Sequence, residues 1–213
     1  MSGADLQRAL TLATLTVVVV ILASLATVVL YGLQLQSAPR TLQEKTLAVA
    51  ETAVAEKPDD YMSWLTLAYA QIEVGRYSAA EDTIATGMEI KDTAGFYIAD
   101  AYLAESQGKT DEAIELYEAA KQRAITEREE RNKELAEVGV KLETPNTDLA
   151  DAAIGKARLL ASTGELQSAI AEYDVALGVS PQMADILVER ADVKAELGDS
   201  IGARAEYESA LTF

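Results

Sequence analysis

The stretch ARLLASTGELQSAIAEYDVALGVSP, running from Ala157 to Pro181, places a small residue, a glycine, a second small residue, a ring and a third small residue at Ala157, Gly164, Ala169, Tyr173 and Ala176. The same five columns return in ADVKAELGDSIGARAEYESA as Ala191, Gly198, Ala203, Tyr207 and Ala210. Upstream they stand at Ala101, Gly108, Ala113, Tyr117 and Ala120, and before that at Ala68, Gly75, Ala80, Ile84 and Gly87. The columns advance together by 33, 56 and 34 residues. A fixed period of about 34 marks a helical-repeat array, and the longest step is one period with an insertion of roughly 22 residues. A generic helical bundle, the alternative, requires no fixed period. Repeat arrays present surfaces to other proteins and seldom carry chemistry of their own.

One unit explains the spacing. Tyr61 to Val74 carries Trp64, Leu65, Leu67, Ala68, Ala70 and Ile72, a pattern that suits a buried helix. Gly75 follows as a stop, because glycine accepts the left-handed conformation of a helix end. Ser78 to Ile90 gives a second helix with Ala79, Ala80, Ile84 and Met88 on one face. The small column of Ala80, Ala113, Ala169 and Ala203 lets helix backbones approach, and Ile84, Tyr117, Tyr173 and Tyr207 fill the space beside it. By the same reasoning Glu172 is expected on the solvent face. Neither helix buries its face alone, so units must stack.

Trp64, Leu67, Ala68, Gly75, Tyr77, Ala80 and Gly87 in the first unit resemble the tetratricopeptide repeat (TPR) family, as do Ala157, Gly164, Ala169, Tyr173, Ala176 and Pro181 in the third. Gln71 stands where that family favours an aromatic residue, and Asp100 where it favours leucine. The resemblance implies an all-α fold, a right-handed α-solenoid of about four helix pairs. The units fall at about 61–92, 94–120, 148–181 and 184–213, within an array spanning 58–213. It also implies that inward residues of each first helix contact a partner. Those are Met62, Leu65, Tyr69 and Ile72; then Ile98 and Tyr102; then Ile154 and Arg158; then Val188 and Asp192. The family's clamp for an acidic C-terminal peptide needs lysine and asparagine at such positions, and neither is present. The face therefore suits a hydrophobic segment or amphipathic helix of a protein partner.

The insertion, 121–147, continues the second helix of unit two without glycine or proline as far as Val138. Glu127 with Arg131 and Glu129 with Lys133 have the favourable i, i+4 order. From Thr110 to Val138 the helix would run roughly 43 Å. Arg123, Arg128 and Arg131 gather positive charge on an acidic chain and make a second candidate contact, a docking rod; a solvated extension is the alternative. Ile125, Leu135 and Val138 are too few for a coiled coil. Residues 36–57 read as a linker and then a capping helix, Thr41 to Glu56, whose stripe of Leu42, Leu47, Val49, Ala50, Ala53 and Val54 covers the open side of unit one.

Residues 1–8 form a short tail, and from Ala9 to Leu33 there is no charged residue. Those 25 residues would make a helix of about 38 Å against a hydrocarbon core of roughly 30 Å, which allows a tilted span. A single transmembrane anchor over residues 9–35 is expected. The alternative, a cleaved signal peptide, meets an apolar run that continues past Ser24-Leu25-Ala26 through Leu30. Arg8 on one side and Arg40 with Lys45 on the other leave the positive-inside rule near balance, with the array leaning to the extracytoplasmic side of a bacterial-type inner membrane.

A net charge of −17 argues against nucleic-acid binding, where a basic footprint is expected. There is no cysteine and no histidine, which removes disulfides, thiol chemistry and the usual zinc and triad ligands. No cofactor, metal, small-molecule substrate or catalytic residue is expected, since the glycines read as helix stops rather than a phosphate loop. The functional expectation is a membrane-anchored scaffold or adaptor for a membrane or envelope complex. Its alternative is a constitutive accessory subunit whose anchor packs on other transmembrane helices, for which Ala9 and Ala13 offer a small-residue face.

Overall fold

The computed structural model describes residues 41–140 and 144–213. The described residues hold α1 (Leu42–Glu56), α2 (Tyr61–Glu73), α3 (Tyr77–Ile90), α4 (Ala94–Ser106) and α5 (Thr110–Glu137). They continue with α6 (Thr147–Ser162), α7 (Leu166–Val179), α8 (Ala184–Glu196) and α9 (Ser200–Ala210). Thr46 to Phe213 forms one compact unit. Among the described residues no helix is long and apolar enough to cross a membrane. The tail over 1–8 and the anchor over 9–35 lie outside the described residues.

Local chemistry sets the helix ends. At the start of α1, the Thr41 amide donates to Glu44 Oε2 at 3.0 Å and the Glu44 amide donates to Thr41 Oγ1 at 3.1 Å, a reciprocal capping box. Asp60, Asn146 and Asp199 accept from the amides of Ser63, Leu149 and Gly202 and cap α2, α6 and α9. Each first helix ends in the same way. At Gly75 φ is +74°, and the Arg76 amide reaches back to the Gln71 carbonyl at 2.8 Å. Lys109 to Ala104, Glu165 to Leu160 and Asp199 to Lys194 repeat that bond, so four identical turns follow from four glycines in phase. Gly139 closes α5 in the same conformation, with the Val140 amide on the Leu135 carbonyl at 2.9 Å.

The pairs α2/α3, α4/α5, α6/α7 and α8/α9 pack as hairpins, and successive first helices α2, α4 and α6 also touch. Ala80, Ala113, Ala169 and Ala203 are buried, as are Ile84, Tyr117 and Tyr173. Tyr207 is the exception in its column and is taken up below. α1 lays Leu47 and Ala50 on Leu67 and Ala70, while Leu42 and Val49 of the expected stripe are exposed.

Not every glycine ends a helix, contrary to the sequence reading. Gly87 lies inside α3, where a Cβ would come 2.2 Å from the Phe96 ring. Gly155 lies inside α6, where a Cβ would come 2.4 Å from Tyr117. Both are seats for rings from a neighbouring helix. The insertion extends α5 to 28 residues, roughly 42 Å. The expected pairs Glu127–Arg131 and Glu129–Lys133 are not the ones formed: Glu127 instead approaches Arg123 at 3.5 Å and accepts from the Ala94 amide at 2.6 Å. Past Ala124 the helix is mostly exposed, and the chain returns where Asn146 Nδ2 donates to the Ala124 carbonyl at 3.0 Å.

Candidate partner-binding surface

The first helices bring Tyr69 on α2 and Tyr102 on α4 together, with ring centroids 6.1 Å apart and planes tilted by 43°. Tyr102 donates its hydroxyl to Glu73 Oε1 at 2.6 Å, which fixes the ring and pushes its pKa up to about 12, with burial adding to the shift. Burial also raises Tyr69 to about 12, and the carboxylates of Asp151 and Asp148 on α6 add to it. Asp151 is itself raised, by burial first and then by Asp148. The surface shared by α2, α4 and the start of α6 is therefore aromatic and crowded with negative charge.

Around that pair Met62 is exposed, and Leu65 and Ile98 are partly buried. Two expected contact residues are not on the surface. Ile72 packs with Ala68, Phe96 and Leu103, and Ile154 packs with Tyr173 and Ile186, both as core. A first helix in a stack is covered on two sides, which takes these two residues into the core. Arg158, the sole cation among the expected contacts, is not free: its guanidinium makes a two-point contact with Glu189 at 2.9 and 2.7 Å. That pair holds the Glu189 carboxyl below its ordinary value, despite partial burial. Tyr173 donates to the same carboxylate at 3.0 Å, and Tyr207 donates to Asp192. Val188 is exposed.

The docking rod is altered too. Arg123 binds the Asp92 carbonyl at 2.7 and 3.2 Å and the Asp92 carboxylate at 3.3 Å, so it ties α5 to the α3–α4 connection. Arg128 is half-buried and Arg131 is exposed.

Sequence reasoning missed the charges between units. Lys156 on α6 reaches Glu118 on α5 at 2.6 Å and Glu172 on α7 at 2.8 Å. Lys121 reaches the same two acids at 3.0 and 2.6 Å and closes a ring of four. Burial alone would raise Glu118, but hydrogen bonds from Lys156, Gln122 and Lys121 outweigh it and bring it to about 2. Burial opposes the Lys156 charge, yet Glu118 and Glu172 hold that ammonium above its ordinary value. Glu172 is thus largely buried between two lysines, not on the solvent face as expected. One junction later, Arg190 on α8 pairs with Asp174 on α7 and, at 3.0 Å, with Glu206 on α9, which also takes Lys194. The available signal was a base directly before the small column, Lys156 before Ala157 and Arg190 before Ala191.

No protein-family model and no curated protein matches the chain. Among solved structures, a thermophilic TPR protein of Thermus thermophilus is similar at 20% identity and a TM-score of 0.58, over 85% of this chain and 87% of that one. BtubC from P. vanneervenii is similar at 18% identity and 0.63, over 81% and 74%. MamA of Desulfovibrio magneticus is similar at 11% identity and 0.55, over 85% and 91%. At such identities the likeness shows the fold, a TPR-like helical solenoid.

Proposed function

We propose that the chain is a non-enzymatic scaffold that holds a segment of a protein partner on the face of α2, α4 and α6. The observation that carries this is the Tyr69–Tyr102 pair, fixed by Glu73 and set beside Asp148 and Asp151. A ring face next to carboxylates favours an amphipathic segment whose apolar side meets Leu65 and Tyr69 and whose lysines or arginines meet the acids. The acidic balance of the whole chain agrees with a cationic protein segment and disfavours nucleic acid. The run from Ala9 to Leu33 supports a membrane-anchored placement, with assembly of a membrane or envelope complex as the setting.

Leu65→Ser with Tyr102→Ser should abolish partner recovery while the circular-dichroism spectrum stays helical. Arg128→Glu with Arg131→Glu tests the inserted helix. Capture that survives the first pair and fails after the second moves the site to α5. For the anchor, N-terminal sequencing of the mature protein should begin at the first residues and fractionation should follow membranes; a start near Thr27 would overturn it.

A further inference from the structure

The two charged junctions are one device used twice. Lys156 stands directly before the small column residue Ala157; Arg190 stands directly before Ala191. Each base meets the acid directly after the ring of the preceding second helix, Glu118 after Tyr117 or Asp174 after Tyr173. Each also meets the acid directly before the ring of its own second helix, Glu172 or Glu206. The receiving half is thus a ring, an acid, a small residue and a long residue: in unit three, Tyr173, Asp174, Ala176 and Leu177. With α8 seated on them, Tyr173, Ala176 and Leu177 are buried.

Unit four carries the same receiving half, Tyr207, Glu208, Ala210 and Leu211. Here Tyr207 is 36% exposed and Leu211 88%, and Phe213 is exposed too. The Glu208 side chain is 62% exposed and pairs with Arg204, itself 82% exposed. Among the described residues nothing covers this face, which is apolar around an acid.

We infer that the outer face of α9 is a seat for a helix donated by another polypeptide. Its chemistry is that of α8: an aliphatic face with an arginine or lysine directly before a small residue. The base meets Glu208 as Arg190 meets Asp174, and the small residue lets the backbone approach Ala210. This surface is separate from the tyrosine face and stands whether or not that face binds a partner.

The test uses the full chain in mild detergent and a fluorescent, helix-stapled peptide of residues 183–197, cross-linked through the exposed positions 188 and 192. Fluorescence anisotropy should show saturable binding that Leu211→Asp abolishes. Glu208→Lys should weaken it at least tenfold, and a peptide carrying Arg190→Glu should restore binding to that variant. Both altered side chains are solvent-exposed, so the thermal melt should not move. Binding that ignores Leu211→Asp and Glu208→Lys would overturn the assignment, as would no binding at millimolar peptide. Sedimentation of the chain alone checks the rival occupant: a dimer lost on Leu211→Asp would give the seat to a second copy and overturn the foreign-helix assignment.

Discussion

The junction between units one and two is closed by a ring, and the junctions after it add charge. At the first, buried Phe96 fills the hollow over Gly87, and the positions that bear charges later are Ala85, Asp100 and Leu116. At the second, Tyr117 sits over Gly155, and Glu118, Lys121, Lys156 and Glu172 form a closed cluster beside it. At the third, the glycine position has become Glu189, which accepts from Tyr173, while Arg190 and Lys194 share Glu206. One backbone architecture thus tolerates two kinds of cement. Apolar contact is nondirectional; ion pairs fix position but must offset the desolvation of every member.

The largest expected effect follows from breaking that cluster. Lys156→Met leaves two carboxylates to share Lys121, and Glu172→Leu leaves two lysines to share Glu118; either excess of like charge should cost about 3 kcal/mol. Both together leave the Lys121–Glu118 pair and should cost less than either single change, which a double-mutant cycle in urea would read as strong coupling. Costs that simply add would mean the cluster is a solvated face after all.

Next come the ring seats. Gly87→Ala and Gly155→Ala gain helix propensity of about 1 kcal/mol but drive a methyl into Phe96 or Tyr117, so a net loss of about 1–3 kcal/mol is expected. Ala169→Leu, at a buried column position, should fall in the same range. A stabilised Gly87→Ala in thermal melts would show that the ring moves aside at little cost.

A smaller gain is expected at Gln71, whose Oε1 is buried without a hydrogen-bond partner among the described residues. Gln71→Leu removes the unmet acceptor and should add about 1 kcal/mol to the unfolding free energy.

Acid should separate the two junctions most finely. Glu118 is held at about 2 against an ordinary 4.5, so its contribution is complete above 4.5 and is lost as pH falls toward 2. Asp100 goes the other way. Burial, then Glu112 and Glu81, raise its carboxyl above the ordinary 3.8, against Lys109. Its strain is present above the raised value and relaxes as pH falls through that value toward 3.8. Amide exchange followed from pH 5.5 to 2.5 should show α5–α6 protection falling more than α3–α4 protection, and Asp100→Asn should remove the difference that Asp100 makes. Parallel loss at both junctions would sink the assignment.

The sequence by itself determined the period, the helices and their ends. Each rests on chemistry within a few residues: a glycine able to take positive φ, an Asp, Asn or Thr able to cap, a small residue every turn or two on one face. Tyr117 and Tyr173 were legible as core because the column repeats. Tertiary structure alone decided which polar and apolar groups meet. Glu172 and an ordinary surface glutamate look the same along one helix, because i, i+3 and i, i+4 spacing cannot report a lysine arriving from another helix. Ile72 and Ile154 looked like groove residues for the same reason, since the helix that covers them comes from a different unit. Arg158 looked like a free cation until Glu189, 31 residues away, took it. Gly87 read only as a small column residue and Gly155 as a helix stop, because the rings they receive come from neighbouring helices. Spacing along the chain fixes which face of a helix a residue occupies; only the stacking of units fixes what that face touches.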